Sequence, residues 1–294
     1  MTLKIATRKS KLALWQANWV GSRLAERGVK SELVLIETKG DLSQQDNQPF
    51  AALQGQGFFT KAVQDAVLAG WADLAVHSHK DLPSLSPPGL EIAAVTERAD
   101  ARDVLLVRGR RGSGLEALPL GAVVGTSAVR RQRQLLAKRP DLNLKELRGN
   151  VPTRIAKLRA GEYDAVVLAA AGLARLELNL SDFQVNILAP ELMMPAPAQG
   201  ALALETRREA YEVASILTDL HHIPTYKAVA AERGLMAMLQ GGCQLALGAY
   251  ASYENGLVRL QAWYENRQVS VASPSSEAAA MLAFDALGRP TVTA

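Results

Sequence analysis

The chain has 294 residues, of which 48% are apolar, so it is long enough for two or three domains with sizeable cores. Its 33 basic and 29 acidic residues leave a formal charge of only +4, and aromatic residues make up 5%. Both values argue against a nucleic-acid binder that stacks bases. The single cysteine, Cys243, excludes a disulfide within the chain. No apolar run approaches the ~20 residues of a membrane helix, and no signal-peptide pattern is found, so we expect a soluble cytoplasmic protein.

The first third of the chain predicts a β-α-β-α-β unit, which is typical of a parallel sheet covered by helices. The predicted elements are a strand at 3–6, a helix from Ser10 to about residue 27, a strand at 32–37, a helix at 60–69, and strands at 74–76 and 91–95. Residues 42–57 are rich in Gln and have no periodicity. They therefore predict a long loop that acts as a lid or is disordered.

From residue 99 the pattern restarts and predicts a second unit of similar size. Its predicted strands are 104–107, 122–125, 143–147 and 165–168, and its predicted helices are 129–138, 152–160 and 170–176. Three prolines make 190–199 an extended connector. A strand at 201–205 and a helix near 208–220 are assigned back to the first unit. Two such lobes joined by two crossing segments resemble the periplasmic-binding-protein architecture.

The C-terminal part of the chain predicts a small α+β domain. Its predicted elements are a helix at 226–239, strands at 245–253, 256–263 and 268–272, and a closing helix at 276–287. The predicted fold class is therefore α/β, with two periplasmic-binding-protein-like lobes and a small α+β C-terminal domain. The predicted domains are 1–98 with 198–218, 99–197, and 219–294.

Polar residues follow the buried strand at 74–76, and they are candidates for chemistry. Ligands bind beyond the carboxyl ends of strands in open α/β sheets, which is where Lys80 and Asp81 are expected. The alternative is that Asp81 only starts a turn before Pro83.

Arginines follow several other predicted strands. Arg130 and Arg131 come after the turn Gly125-Thr126-Ser127, where free backbone N–H groups and hydroxyls favour an anion site. The alternative for this pair is an exposed Arg-rich helix face. Further arginines at strand exits are Arg8, Arg148, Arg154 and Arg175. A cleft with guanidiniums from several strand ends implies a polyanionic ligand bearing carboxylates or phosphates.

Cys243 follows two glycines, a poor place to bury a thiol, so a reactive thiolate is favoured over a small buried hydrophobe. A nucleophilic Cys normally has a histidine base nearby, and the sequence does not say which histidine is close. For the pair His221-His222 a structural or surface role is favoured, because metal sites need three or four ligands. No metal site is predicted.

Six motifs stand in collinear order between residue 3 and about residue 255. They are Ile5-Ala6-Thr7-Arg8-Lys9-Ser10, Val76-His77-Ser78-His79-Lys80-Asp81-Leu82-Pro83, Gly125-Thr126-Ser127, Leu147-Arg148-Gly149-Asn150-Val151, Gln199-Gly200-Ala201-Leu202 and Gly241-Gly242-Cys243-Gln244. Together they resemble the porphobilinogen deaminase (hydroxymethylbilane synthase) family.

The resemblance implies a three-domain fold and a dipyrromethane cofactor joined through a thioether to Cys243. It implies a transferase of tetrapyrrole and heme biosynthesis that condenses four porphobilinogen molecules with loss of ammonia and releases hydroxymethylbilane with water. Asp81 is the implied catalytic carboxylate. The implied cofactor contacts are Cys243, Ser78, Lys80, Thr126, Ser127, Arg130, Arg131, Arg148, Gly149, Gln199 and Gly200. The implied substrate contacts are Arg8, Ser10, Phe59, Arg154 and Arg175.

The resemblance also implies a monomer that passes its product to uroporphyrinogen-III synthase. From composition and pattern we expect a cytoplasmic protein with no nucleic-acid or membrane partner. Several positions depart from the usual family pattern: Gln56 replaces a lysine, Gln64 an acidic residue, His79 a methionine, Ala128 a serine and Leu245-Ala246 a Val-Pro pair. One alternative is a solute-binding protein for an organic polycarboxylate, which leaves Gly-Gly-Cys and the third domain unexplained. A second is a cysteine-nucleophile hydrolase or acyltransferase, which requires a histidine near Cys243.

Overall fold

The computed structural model describes residues 1–37, 60–109, 112, 114–240 and 245–290. They form two compact units, Met1–Arg98 with Ala201–Lys227, and Ala99–Gly200 with Ala228–Ala294. The described helices are α1 (Lys11–Ala25), α2 (Lys61–Leu68), α3 (Val129–Lys138), α4 (Val151–Arg159), α5 (Ala170–Leu176), α6 (Tyr211–Leu217), α7 (Ile223–Met238) and α8 (Ser276–Ala286). The described strands are β1 (Thr2–Arg8), β2 (Lys30–Ile36), β3 (Leu74–Ser78), β4 (Leu90–Val95), β5 (Asp103–Arg108), β6 (Val123–Gly125), β7 (Asn143–Lys145), β8 (Ala165–Ala169), β9 (Phe183–Leu188), β10 (Leu202–Arg207), β11 (Gly248–Glu254), β12 (Leu257–Tyr264) and β13 (Arg267–Ser273).

The first unit is built on a five-stranded sheet with the order β2-β1-β3-β10-β4. Strands β1, β2 and β3 are parallel, whereas β10 runs antiparallel to both of its neighbours. Leu3, Leu24 and Leu74 are fully buried in its core, and each stabilises the fold by roughly 1.5–3 kcal/mol. Because β1 and β3 are parallel, Arg8 and Ser78 leave the sheet at the same edge.

The second unit contains a sheet of the same kind, with the order β7-β6-β8-β5-β9. Strands β6, β7 and β8 are parallel, and β5 is antiparallel to β8 and β9. Apolar clusters lie on both faces of this sheet, one around Leu105 and Val167 and the other around Leu106 and Val166. Strand β9 is absent from the elements predicted by the sequence.

A separate antiparallel sheet, β11-β12-β13, also belongs to the second unit. Its apolar face packs with residues of α7 and α8 into a cluster that includes Leu235, Leu260 and Ala280. Two five-stranded α/β sheets and a small α+β part confirm the predicted fold class. The boundaries of the three predicted domains stay a prediction. No helix among the described residues is long and apolar enough to cross a bilayer.

Candidate active site

Strand β3 delivers the predicted catalytic residue to the edge of the first sheet. Its residues Leu74 to His77 are buried, as expected for a central parallel strand covered on both faces. The chain then makes one 3₁₀ turn, His79–Asp81, before Pro83. The backbone N–H of His79 donates to the carbonyl of Ala201 over 3.0 Å. Asp81 is therefore an exposed carboxylate on a turn that is tied to the sheet.

A cavity of about 70 Å³ brings four predicted site residues together in the first unit. Its lining includes Arg8, Ser10, Ser78 and Asp81. Ser10 is the N-cap of α1, and its hydroxyl accepts the N–H of Ala13 at 3.4 Å. Arg8 ends β1. One guanidinium and one carboxylate at a shared cavity suit a ligand that carries both charges.

Two further residues of the cavity lining are missing from the sequence-based set. They are Gln16, whose Nε2 donates to Ser78 Oγ over 2.7 Å, and His77. Gln16 is 3% exposed and lies on the buried face of α1. A polar residue among apolar ones at helical or strand spacing is the signal that could have found both.

Behind the cavity the first sheet buries a carboxylate that the sequence analysis also missed. Glu205 of β10 is 0% exposed, and Gln64 Nε2 lies 3.1 Å from its Oε1 and 3.0 Å from its Oε2. His77 Nε2 lies 3.1 Å from Oε2 of the same residue. Gln64, which departs from the family pattern, therefore donates hydrogen bonds to a buried carboxylate.

In the second unit Arg130 and Arg131 form a buried cluster with Asp103. Their Nη2 atoms lie 2.7 and 2.8 Å from the two oxygens of Asp103, and only 5% and 6% of the two arginines is exposed. Their Nη1 atoms donate to the carbonyls of Met194 and Val167. The alternative of an exposed Arg-rich helix face is therefore wrong. Contact of either arginine with a cofactor stays a prediction.

The charge state of Asp103 follows from its neighbours. Burial by itself raises the pKa of this carboxyl, but the attraction of Arg130 and Arg131 outweighs burial, and the net pKa is lowered. Gln199 adds a hydrogen bond to Asp103 Oδ1 at 2.9 Å and another to the carbonyl of Ala101 at 2.7 Å. Two permanent cations around one anion leave this cluster with a net positive charge.

The turn Gly125-Thr126-Ser127 is bonded to the segment that carries Arg148. The hydroxyl of Ser127 donates to the carbonyl of Leu147 over 2.9 Å and accepts its N–H over 3.0 Å. The buried Thr126 donates its backbone N–H to the carbonyl of Lys145. Ser127 therefore positions the segment beside the turn, and its predicted contact with a cofactor is untested.

Arg148, Gly149 and Arg154 come together at the start of α4. Arg148 Nε donates to Glu146 Oε1 over 2.9 Å, and Arg154 Nε donates to the carbonyl of Gly149 over 2.8 Å. Gly149 has φ +99°, and a Cβ there would lie 2.7 Å from Thr153 Cγ2, so glycine is required. The turn therefore carries two arginines, each held by a hydrogen bond of its Nε.

Arg175 contacts the segment that carries the predicted residues Gln199 and Gly200. Its Nη2 donates to the carbonyl of Gly200 over 2.7 Å, next to the buried Gln199. Burial lowers the pKa of Arg175 to about 10, so the guanidinium still carries its charge at neutral pH. Lys80 is half-buried in the turn next to Asp81. Cys243, Phe59, Gln56 and the predicted lid at 42–57 lie outside the described residues.

Two family models match the chain. One, described as "Porphobilinogen deaminase, dipyromethane cofactor binding domain", matches residues 3–215, and the other, "Porphobilinogen deaminase, C-terminal domain", matches residues 226–272. Among curated proteins, the chloroplastic porphobilinogen deaminase of Euglena gracilis is 45% identical over 89% of this chain and 55% of its own length. The porphobilinogen deaminase of Maridesulfovibrio salexigens is 46% identical over 88% of this chain and 82% of its own length. The chain thus spans little more than half of the Euglena protein.

Solved structures with a similar fold are more distant. The VFT2 domain of Bordetella pertussis BvgS has a TM-score of 0.47 and 16% identity over 79% of this chain and 91% of that domain. An arginine-specific periplasmic binding protein of Salmonella typhimurium has a TM-score of 0.42 and 11% identity over 74% of this chain and 91% of its own. At these values the likeness carries no argument about a ligand.

Proposed function

The chain belongs to the porphobilinogen deaminase family, and we propose that it condenses four porphobilinogen molecules on a dipyrromethane primer and releases hydroxymethylbilane with water. The membership confirms the predicted family and supports the predicted enzyme class, a transferase of tetrapyrrole biosynthesis. The structural likeness to solute-binding domains does not favour the alternative of a polycarboxylate-binding protein.

The observation that supports the reaction most directly is the position of Asp81 in the cavity with Arg8. Porphobilinogen loses ammonia to give an electron-poor azafulvene, and positive charge develops on its pyrrole nitrogen. A carboxylate fixed near that nitrogen lowers the barrier by electrostatic stabilisation and can accept the pyrrole N–H. The guanidinium of Arg8 is a partner for the acetate or propionate of the same substrate.

The residues of the second unit fit a polycarboxylate cofactor. The Asp103 cluster has two guanidiniums for one carboxylate, and Arg131 Nε is buried with no hydrogen-bond partner among the described residues. An unused donor beside a net positive charge suits a ligand carboxylate. Arg148 and Arg154 add guanidiniums at the start of α4.

The cofactor named by the family model agrees with the predicted dipyrromethane. When bound, this group supplies the pyrrole carbon to which the first substrate is joined. We propose that Cys243 holds it through a thioether, because Cys243 is the only cysteine of the chain and follows two glycines. Thr126, Ser127, Arg130, Arg131 and Arg148 would bind its carboxylates, and Arg175 would bind those of the growing chain.

Intact-protein mass spectrometry tests this function. We expect a mass above the sequence value by one dipyrromethane, with the increment on the peptide that contains Cys243. Cys243→Ala should carry no increment and should not consume porphobilinogen. A folded wild-type protein that consumes porphobilinogen without any added mass would contradict the proposal.

Three finer parts of the proposal come from the sequence analysis and the family resemblance. They are a cytoplasmic location, a monomeric state and delivery of the product to uroporphyrinogen-III synthase. Light scattering of the purified holoprotein measures the mass of the particle in solution. A coupled assay, in which that synthase is added, should convert the released product before it cyclises spontaneously.

A further inference from the structure

Three buried side chains of the first unit form one polar group, called here the buried triad: Gln64, His77 and Glu205. They are 4%, 5% and 0% exposed. Gln64 belongs to α2, His77 to β3 and Glu205 to β10, so the triad joins a helix to two neighbouring strands. Its members lie far apart in the chain and meet only through the fold.

The charge of Glu205 requires its two partners. A carboxylate removed from water is unfavourable unless it is paired or hydrogen-bonded. Among the described residues, this carboxylate contacts the amide of Gln64 at 3.1 and 3.0 Å and the imidazole of His77 at 3.1 Å. Gln64 and His77 are therefore the two neighbours that compensate for the burial of this carboxylate.

His77 stands between the buried triad and the candidate active site. It lines the cavity with Arg8 and Asp81, and it directly precedes the segment that ends in Asp81. Backbone contacts also connect this segment to the neighbouring chain. Ala203 of β10 pairs with His77, and the N–H of His79 donates to the carbonyl of Ala201. His77 therefore contacts Glu205 and belongs to the lining of the cavity.

We propose that His77 is a positioning residue for the reaction, which the buried triad holds so that the turn His79–Asp81 presents Asp81 to the cavity. The inference rests on the proposed function, because that function makes Asp81 the catalytic carboxylate. Gln64 and Glu205 act through His77 and do not touch the substrate. A carboxylate that stabilises a developing charge must be held in place, and a displacement of about 1 Å can lower a rate by roughly 100-fold.

The test compares two substitutions at position 77. His77→Leu removes the contact with Glu205, and we expect kcat for porphobilinogen consumption to fall by about 100-fold while KM changes by less than about threefold. His77→Gln restores an amide donor near the position of Nε2, and we expect kcat within about fivefold of the wild type. Hydrogen exchange at the amides of His79 and Leu82 should be faster in the Leu variant and normal in the Gln variant.

The outcomes separate three explanations. If His77→Gln is as inactive as His77→Leu, the imidazole has a role that an amide cannot replace, and positioning is wrong. If His77→Leu keeps the wild-type kcat and the wild-type exchange rates, the turn does not depend on the buried triad, and the inference is also wrong. His221→Gln, the same substitution at another histidine of this unit, is the matched control and should leave kcat unchanged.

Two cases need a further measurement: a His77→Leu variant that does not fold, and a wild type that is inactive. If His77→Leu does not fold, Gln64→Leu removes the other partner of Glu205, and a kcat lowered by about tenfold with faster exchange supports the inference. Unchanged values in that variant overturn it. If the wild type does not consume porphobilinogen at all, the proposed function fails, and the exchange rates alone decide whether His77 positions the turn.

Discussion

Each of the two five-stranded sheets carries one completely buried carboxylate, Glu205 in β10 and Asp103 in β5, and the two sheets compensate these charges in different ways. Glu205 in the first unit contacts an amide and an imidazole, neither of which is a permanent cation. Asp103 in the second unit contacts two guanidiniums, which keep their charge near neutral pH. The buried carboxylate of the first sheet thus has no permanent cation beside it, whereas that of the second sheet lies in an excess of positive charge.

This difference explains why the same sheet architecture can serve two roles. In the proposed reaction a carboxylate stabilises the developing charge and accepts the pyrrole N–H, and Asp81 lines the cavity of the first unit. The proposed binding of a polycarboxylate through several additions needs cations whose charge does not change, and the arginines of the Asp103 cluster are our candidates for them. Substitutions that remove one charge at a time test whether the two units differ in this way.

The largest effect is expected when the single anion of the Asp103 cluster is removed. Asp103→Asn leaves two buried guanidiniums without their counter-charge, and we expect the free energy of unfolding to fall by about 3–5 kcal/mol. Urea denaturation monitored by circular dichroism measures this loss. Asp182→Asn, which removes the carboxylate of an exposed pair with Arg159, is the control and should change stability far less. Equal losses of unfolding free energy in the two variants would show that the buried cluster stabilises the fold no more than an exposed ion pair does.

Removing the exposed carboxylate of the first unit should affect the rate and not the stability. Asp81→Ala is expected to lower kcat by roughly 10²–10³-fold or more, because a preorganised charge near the reacting nitrogen is lost. The unfolding free energy should stay the same, since Asp81 is exposed. Asp65→Ala, on the exposed side of α2, is the matched control. A near-normal rate in Asp81→Ala would remove this residue from the mechanism.

Charge reversal at Arg148 tests whether the positive charge of the second unit extends to the turn before α4. Arg148→Glu should weaken binding of the cofactor or the growing chain by about 1.5–3 kcal/mol, the value of one charged hydrogen bond. Mass spectrometry should show less holoprotein or an accumulated partial product. Arg133→Glu, on the exposed side of α3, makes the same charge change and should behave like the wild type. Loss of the same size in both variants would indicate a general charge effect.

The smallest effect concerns the histidine pair outside both clusters. Burial and then the neighbouring His222 lower the pKa of His221, whose Nδ1 accepts the N–H of Val95 at 3.2 Å. Because the folded pKa lies below the unfolded value of about 6.5, this contribution to stability is present above that pH and is lost as pH falls through the folded pKa. Urea denaturation from pH 8 to 5 should give a flatter profile for His221→Gln than for the wild type. Identical profiles would show that His221 does not contribute.

Local patterns in the sequence predicted the position of Asp81 well. An apolar run that ends in polar residues and a proline indicates a buried strand followed by a turn, and β3 ends at Ser78 as that pattern requires. The serine at position 10 likewise predicted the start of α1. These features depend on neighbouring residues, and therefore one sequence is sufficient to find them.

Strand β9 shows where the local pattern was not sufficient. Its apolar residues Val185 and Ile187 are 42% and 52% exposed, whereas Asn186 between them is buried. Asn186 accepts the N–H of Gly114 and donates to the carbonyl of Leu105, and these bonds compensate for its burial. In β9 the alternation of apolar and polar residues therefore predicts the wrong buried face. The hydrogen-bond partners that allow Asn186 to be buried lie on other segments of the chain.

By itself the sequence determined the family, the fold class and the residues that stand at strand ends, since each follows from short motifs and local periodicity. Only the tertiary structure decided which charges are buried and what they contact. Gln64 and Glu205 are 141 residues apart, and Asp103 and Gln199 are 96 apart. A charged side chain in a strand pattern predicts exposure unless its partner is known, and such partners are brought within 3 Å only when the sheets form.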